Sequence, residues 1–87
     1  MLQVVSLSAF GDNAAVATSE GRAFALGKGR MGQLGTGNTK DSDSFVQMKI
    51  PDGEKAAQVA VGGEFTVVLT QNGKLYSCGS DTKMQVG

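Results

Sequence analysis

The chain has 87 residues, enough for one small domain, and its eight basic and eight acidic side chains cancel to zero net charge. With the two signs scattered along the chain, no global field gathers nucleic acid, anionic lipid or a highly charged substrate. The absence of histidine excludes Ser-His-Asp and Cys-His nucleophile systems and nearly every common zinc site.

The single cysteine, Cys78, excludes an internal disulfide and fits a reducing setting. Met1 to Phe10 lacks a basic start and is broken by Gln3, Ser6 and Ser8, so it does not read as a signal peptide. No apolar run is long enough for a transmembrane helix. The expectation is an intracellular protein, cytoplasmic or nuclear, with no membrane insertion.

In chain order, the first predicted element is a strand over Leu7–Phe10, then a second over Ala14–Thr18. A turn at Glu20-Gly21 leads into a third strand, Arg22–Leu26, which ends at Gly27. A glycine-rich loop and a polar loop follow, and a further strand is expected over Phe45–Ile50, ahead of a Pro51-Asp52-Gly53 turn. Gln58–Val61 is a short strand ended by Gly62-Gly63, and Phe65–Thr70 is rich in β-branched residues. Asn72-Gly73 predicts a type I′ hairpin turn, from which Lys74–Cys78 returns and stops at Gly79. Phe65, Val67 and Leu69 point one way, and Val68 shares the other face with Thr66 and Thr70. Apolar residues on both faces predict a sheet covered on both sides. No segment carries a sustained 3.6-residue period, so no long helix is expected.

The chain also repeats itself. At an offset of 52 residues, Val4–Gly35 lies over Ala56–Gly87 without a gap, and seven of the 32 pairs are identical. They are Gly11/Gly63, Val16/Val68, Thr18/Thr70, Gly21/Gly73, Gly27/Gly79, Gln33/Gln85 and Gly35/Gly87. Leu7/Val59, Arg22/Lys74 and Phe24/Tyr76 are conservative. Glycines coinciding at turns mark a repeat of backbone shape, and Gly21, Gly27, Gly35, Gly73 and Gly79 are assigned as structural turns.

The run from Gln58-Val59-Ala60-Val61-Gly62-Gly63 through Asn72-Gly73-Lys74-Leu75-Tyr76-Ser77-Cys78-Gly79 resembles the core of a regulator of chromosome condensation repeat. The first copy adds a loop signature, Gly32-Gln33-Leu34-Gly35, whose second occurrence begins at Gln85-Val86-Gly87. The resemblance implies an all-β fold of antiparallel β-propeller blades, about one and two-thirds repeats of a ring of about seven. Residues 1–35 then form the first hairpin core and its signature loop. Residues 36–55 form the polar loop, connecting strand and turn, and residues 56–87 a second repeat truncated in its signature loop. Asn13 and Phe65 stand where the family often has histidine, and Leu26 and Cys78 where it often has an aromatic residue. A single blade exposes both faces, so either the rest of a larger propeller or self-association into a ring is expected.

Gly27-Lys28-Gly29-Arg30-Met31-Gly32 spells GxGxxG after a strand, yet Gly35, Gly37 and Asn38 argue against the helix that a phosphate cradle needs. Arg22, Lys28 and Arg30 are candidates for a small basic patch. Asp41 and Asp43 flank Ser42 without a metal-ligand cage, and Cys78 reads as a buried apolar plug. No catalytic, cofactor-binding or metal-binding residue is assigned. The loop Gly35–Ser44 is the longest polar segment, and Thr36, Asn38, Lys40 and Asp41 are expected to meet a protein partner. The expectation is a non-catalytic interaction scaffold. The alternatives implied by the resemblance are part of a guanine-nucleotide exchange factor for a Ran-like small GTPase, or a chromatin-binding propeller.

Overall fold

Apolar runs punctuated by glycine build short strands and little else. A computed structural model describes residues 3–29, 32–37 and 39–79, and among them seven strands form. These are β1 (Val4–Phe10), β2 (Asn13–Thr18), β3 (Ala23–Gly27), β4 (Ser42–Gln47), β5 (Ala56–Val61), β6 (Phe65–Thr70) and β7 (Leu75–Gly79). They make two antiparallel meanders, β1-β2-β3-β4 and β5-β6-β7.

The register reproduces the repeat residue by residue. Leu7 pairs with Val16 and Val16 with Phe24, as Val59 pairs with Val68 and Val68 with Tyr76. Even the irregularity recurs, between Val4 and Ser6 in β1 and between Ala56 and Gln58 in β5.

The turn at Asn72-Gly73 differs from the type I′ expectation, and the turn at Glu20-Gly21 shares its form. Gly21 and Gly73 have φ of 84° and 83°, while Asp52 is the only non-glycine residue at positive φ among the described residues; a type I′ turn would need Asn72 there too. Instead Gly21 N donates to Thr18 O and Gly73 N to Thr70 O, each at 3.0 Å, closing three-residue loops with a left-handed glycine last. The threonine hydroxyls complete both turns: Thr18 Oγ1 accepts from Arg22 N at 3.3 Å, and Thr70 Oγ1 from Lys74 N at 3.0 Å.

The fourth strand begins earlier than Phe45. Across an irregularity at the end of β3, Gly27 pairs with Ser42, which draws the polar residues 42–44 into the ladder. It ends at Gln47 because Lys49 N turns to Gly35 O at 2.7 Å.

The two sheets stack through faces of unequal bulk. The rear face of the first sheet is lined by Ala15, Ala17, Ala23 and Ala25, all at or below 1% exposure. Onto it packs the front face of the second sheet, with Val59, Val68 and Cys78 in the same core cluster. Small residues on one side let the β-branched residues of the other approach closely. Burying a valine this way contributes roughly 1.5–3 kcal/mol. At the sheet edge, where β5 lies against β1 and β2, Val59 N donates to Ser6 Oγ at 3.1 Å and Val61 N to Ser8 Oγ at 3.0 Å. Serine hydroxyls thus satisfy an edge that has no strand beside it.

The linker between sheets is a single 3₁₀ turn, Pro51–Gly53. Tyr76 Oη donates to Asp52 Oδ2 at 3.3 Å, and Asn72 Nδ2 to Glu54 Oε1 at 3.2 Å, so the linker is bound to the second hairpin. Ala56 N donates to Gly21 O at 2.8 Å, binding it to the first.

Candidate functional site

The loops after β3 converge at one end of the first sheet. They are held there by side chains that act as substitute backbone. Asn13 is buried at the start of β2; its Nδ2 donates to Lys28 O at 2.8 Å and its Oδ1 accepts from Lys28 N at 3.1 Å. Asp41 Oδ1 accepts from Gly29 N at 2.8 Å, and its other oxygen lies 3.9 Å from Lys28 Nζ.

Further along, Gly32 N donates to Gly29 O and Gly35 N to Gly32 O. The amides of Lys28, Gly29, Gly32 and Gly35 are therefore engaged by protein oxygens, so these four are not free to cradle an anion. The loop's signature residues serve packing. Leu34 is 2% exposed within the core cluster, and Gln33 O lies 3.4 Å from Cys78 Sγ.

The strand geometry separates the proposed basic patch. Arg22 precedes β3 and Lys28 follows it, so the two lie roughly 15–20 Å apart along the strand. Each has an acidic neighbour of its own: Arg22 Nη1 is 3.7 Å from Glu20 Oε1, and Lys28 pairs with Asp41. Arg30 lies outside the described residues. Cys78 is buried, and its thiol is pushed up to about 11 by desolvation, opposed by a hydrogen bond to Thr66 O. It packs as a plug, and burial is the main influence on its thiol.

Of the residues expected to meet a partner, Thr36, Lys40 and Asp41 line one depression of about 260 Å³, together with Leu34, Ser42 and Val46. Asn38 lies outside the described residues, as does the second signature, Gln85-Val86-Gly87. A neighbouring hollow of about 420 Å³ shares Asp41 and Ser42 and adds Asp12, Leu26, Lys28 and Asp43. Asp12 and Leu26 were not legible as members of this surface, because only the folding of β1-β2 and β3 onto one end brings them beside residues 41–43. Asp41 has two duties: one oxygen pins Gly29, and the carboxylate borders both hollows. Ser42 Oγ donates to Ser44 O at 2.7 Å and accepts from Ser44 N, which fixes the entry to β4. No group of three acidic or cysteine side chains able to hold a metal ion occurs among the described residues. Nor is any helix there long and apolar enough to cross a membrane.

Comparison with known proteins follows the same repeat. The pattern of the regulator of chromosome condensation (RCC1) repeat matches residues 20–69, and a second pattern for the same repeat matches residues 56–85. The secretion-regulating guanine nucleotide exchange factor of Bos taurus is 43% identical over 77 residues, covering 88% of this chain and 17% of that protein. Protein RCC2 of Homo sapiens is 35% identical over 86 residues, covering 98% of this chain and 16% of that one. The chain thus spans less than a fifth of the length of these relatives. The crystal structure of human WBSCR16 superimposes with a TM-score of 0.79 over 98% of this chain and 23% of its own, at 18% identity. At that identity the likeness speaks to the fold.

Proposed function

This chain belongs to the regulator of chromosome condensation (RCC1) repeat family, its two sheets being blades of a β-propeller, and from that premise we propose that it is a non-catalytic module for protein–protein interaction. The observation that carries the reading is the depression where Thr36, Lys40 and Asp41 converge on a loop clamped by Asn13 and Asp41. A surface whose backbone is fixed before binding loses little conformational entropy when a partner arrives. Its mixed charge, with Lys40 beside Asp41 and Lys28 beside Asp12 and Asp43, fits a protein surface of interspersed charges better than a polyanion.

The partner class is a small GTPase. Support comes from the bovine relative, whose name is that of a guanine nucleotide exchange factor. Binding of the chain to purified Ran, in nucleotide-free and nucleotide-bound forms, is measured by titration calorimetry. The double variant Thr36→Ala/Lys40→Ala weakens it by roughly tenfold, the cost of truncating one good contact. Unchanged affinity in that variant rejects the loop face. Release of labelled nucleotide that stays at its intrinsic rate under saturating chain leaves an interaction module without exchange activity.

A further inference from the structure

The chain has three asparagines, and Asn72 is the one followed by glycine, Asn13 preceding Ala14 and Asn38 preceding Thr39. That pair has a chemistry of its own. A backbone amide nitrogen that loses its proton can attack the carbonyl carbon of the preceding asparagine side chain, and glycine, with no side chain, hinders the attack least. In the fold the pair forms the exposed tip of the β6-β7 hairpin. A Cβ built on Gly73 would meet no atom beyond its chain neighbours, so the space for a ring closed at this position is open.

Two hydrogen bonds stand against the reaction. Gly73 N, the attacking atom, donates to Thr70 O at 3.0 Å, which engages the proton that must leave first. Asn72 Nδ2 donates to Glu54 Oε1 at 3.2 Å, which draws the side chain toward the linker and restrains its rotation onto Gly73 N. Glu54 Oε2 in turn lies 3.7 Å from Lys74 Nζ, and the glutamate side chain is only 9% exposed. This carboxylate would meet the product of the reaction differently. Asn72 donates an N–H to it, whereas an aspartate in that position can only accept and sets a second negative charge in the same contact.

We propose that Asn72 is a site of spontaneous deamidation, restrained by Glu54, whose product loosens the linker from the second hairpin. Gly73 N gives its proton to hydroxide and forms a bond to Asn72 Cγ. The Cγ–Nδ2 bond then breaks, and the nitrogen leaves as ammonia with a proton taken from water, which returns the hydroxide. Water opens the resulting succinimide. Addition at one carbonyl leaves aspartate, and addition at the other leaves isoaspartate, with the backbone rerouted through the side chain. The net reaction consumes water and yields ammonia, with no oxidant or reductant. Either product sets a carboxylate against Glu54 and breaks that tie, while the Tyr76–Asp52 bond stays in place. The site shares no residue with the loop face and is independent of the partner taken there.

The test is peptide mapping by mass spectrometry of the full chain held in mildly alkaline buffer at physiological temperature, which reads aspartate and isoaspartate at each asparagine. Asn72 converts in the folded chain several-fold more slowly than in the same chain unfolded in guanidinium. Asn13, whose amide is bonded through both atoms to Lys28, stays intact in the folded chain. Glu54→Ala raises the folded rate at Asn72 several-fold, and Glu54→Gln, which keeps an acceptor oxygen for the asparagine, does not. The consequence is read by urea unfolding of Asn72→Ala, which loses the bond, and Asn72→Asp, which loses it and adds the charge. Asn72→Asp has the larger unfolding constant by roughly two- to fivefold, and the excess vanishes when both are made on Glu54→Gln. The inference is overturned by a folded chain that converts Asn72 as fast as the unfolded one, or not at all. It is equally overturned by Glu54→Ala and Glu54→Gln acting alike, or by Asn72→Asp as stable as Asn72→Ala.

Discussion

Cys78 has an ordinary composition signal and a specific location. Its sulfur faces the carbonyls of Gln33 at 3.4 Å and Thr66 at 3.7 Å, between the two sheets. Burial favours the neutral thiol, so its pKa rises from 9.0 to about 11. A raised acid pKa means that the folded state holds its proton longer than the unfolded one. This contribution to stability is fully present below pH 9 and is lost as pH rises from 9 toward 11. We expect iodoacetamide at pH 8 to label Cys78 no faster than the chain unfolds. In Cys78→Ala the decline of stability between pH 9 and 11 becomes shallower, as measured by urea unfolding at each pH. The plug role was legible from a lone cysteine at a strand end. That its neighbour would be Gln33, from the other copy's signature loop, was not, because no spacing rule reaches across 45 residues.

At the scale of strands and turns, Gly27 and Gly79 show what the repeat preserves. Both have positive φ, 116° and 138°, and a Cβ at either would strike the backbone entering the neighbouring strand, at Asp12 O or Glu64 O. Gly27→Ala is therefore expected to destabilise the chain by more than about 1 kcal/mol, through strain and displacement of the loop that Asn13 holds. A lower urea midpoint with an unchanged slope would show it. Strand existence and order were legible because glycine punctuation and β-branched runs speak directly to local backbone shape; β6 matches its expected span, Phe65–Thr70. Strand ends and turn type were less so. Asn72-Gly73 favours a two-residue turn by composition, but the hydroxyl of Thr70 supplies an acceptor that stabilises the longer loop. The start of β4 at Ser42 depends on pairing to Gly27, a tertiary demand that overrides the polar character of residues 42–44.

For the whole molecule, stability rests on an alanine-lined face meeting a valine- and threonine-lined one. Ala17 is fully buried there, while Leu69, its counterpart in the second copy, sits on the half-buried opposite side. Ala17→Leu inserts three extra carbons into a packed interface and should cost about 1–3 kcal/mol. Urea unfolding monitored by circular dichroism measures it, with Leu69→Ala as the milder reciprocal change. The periodicity of the sequence anticipated sheets covered on both sides, but not which face would be lined by small residues, since alanine reads equally as strand interior or spacer. Of the residues that line the two hollows, those within 35–44 were marked in the sequence by polarity, whereas Leu26 and Asp12 joined them only through the meander.

The bonds between the blades also set an order of assembly. Each hairpin closes over four residues, from Thr18 to Arg22 and from Thr70 to Lys74, contacts that form on the microsecond scale of an isolated hairpin. The serine bonds join residues 53 apart, and closing so long a loop comes later and is slower. Between them stands Ala56 N on Gly21 O, which ties the start of the second blade to the turn of the first. Its 35-residue separation lies between those of the hairpin and serine contacts, so by loop-closure entropy the first hairpin is expected to serve as the template on which the start of the second blade is laid.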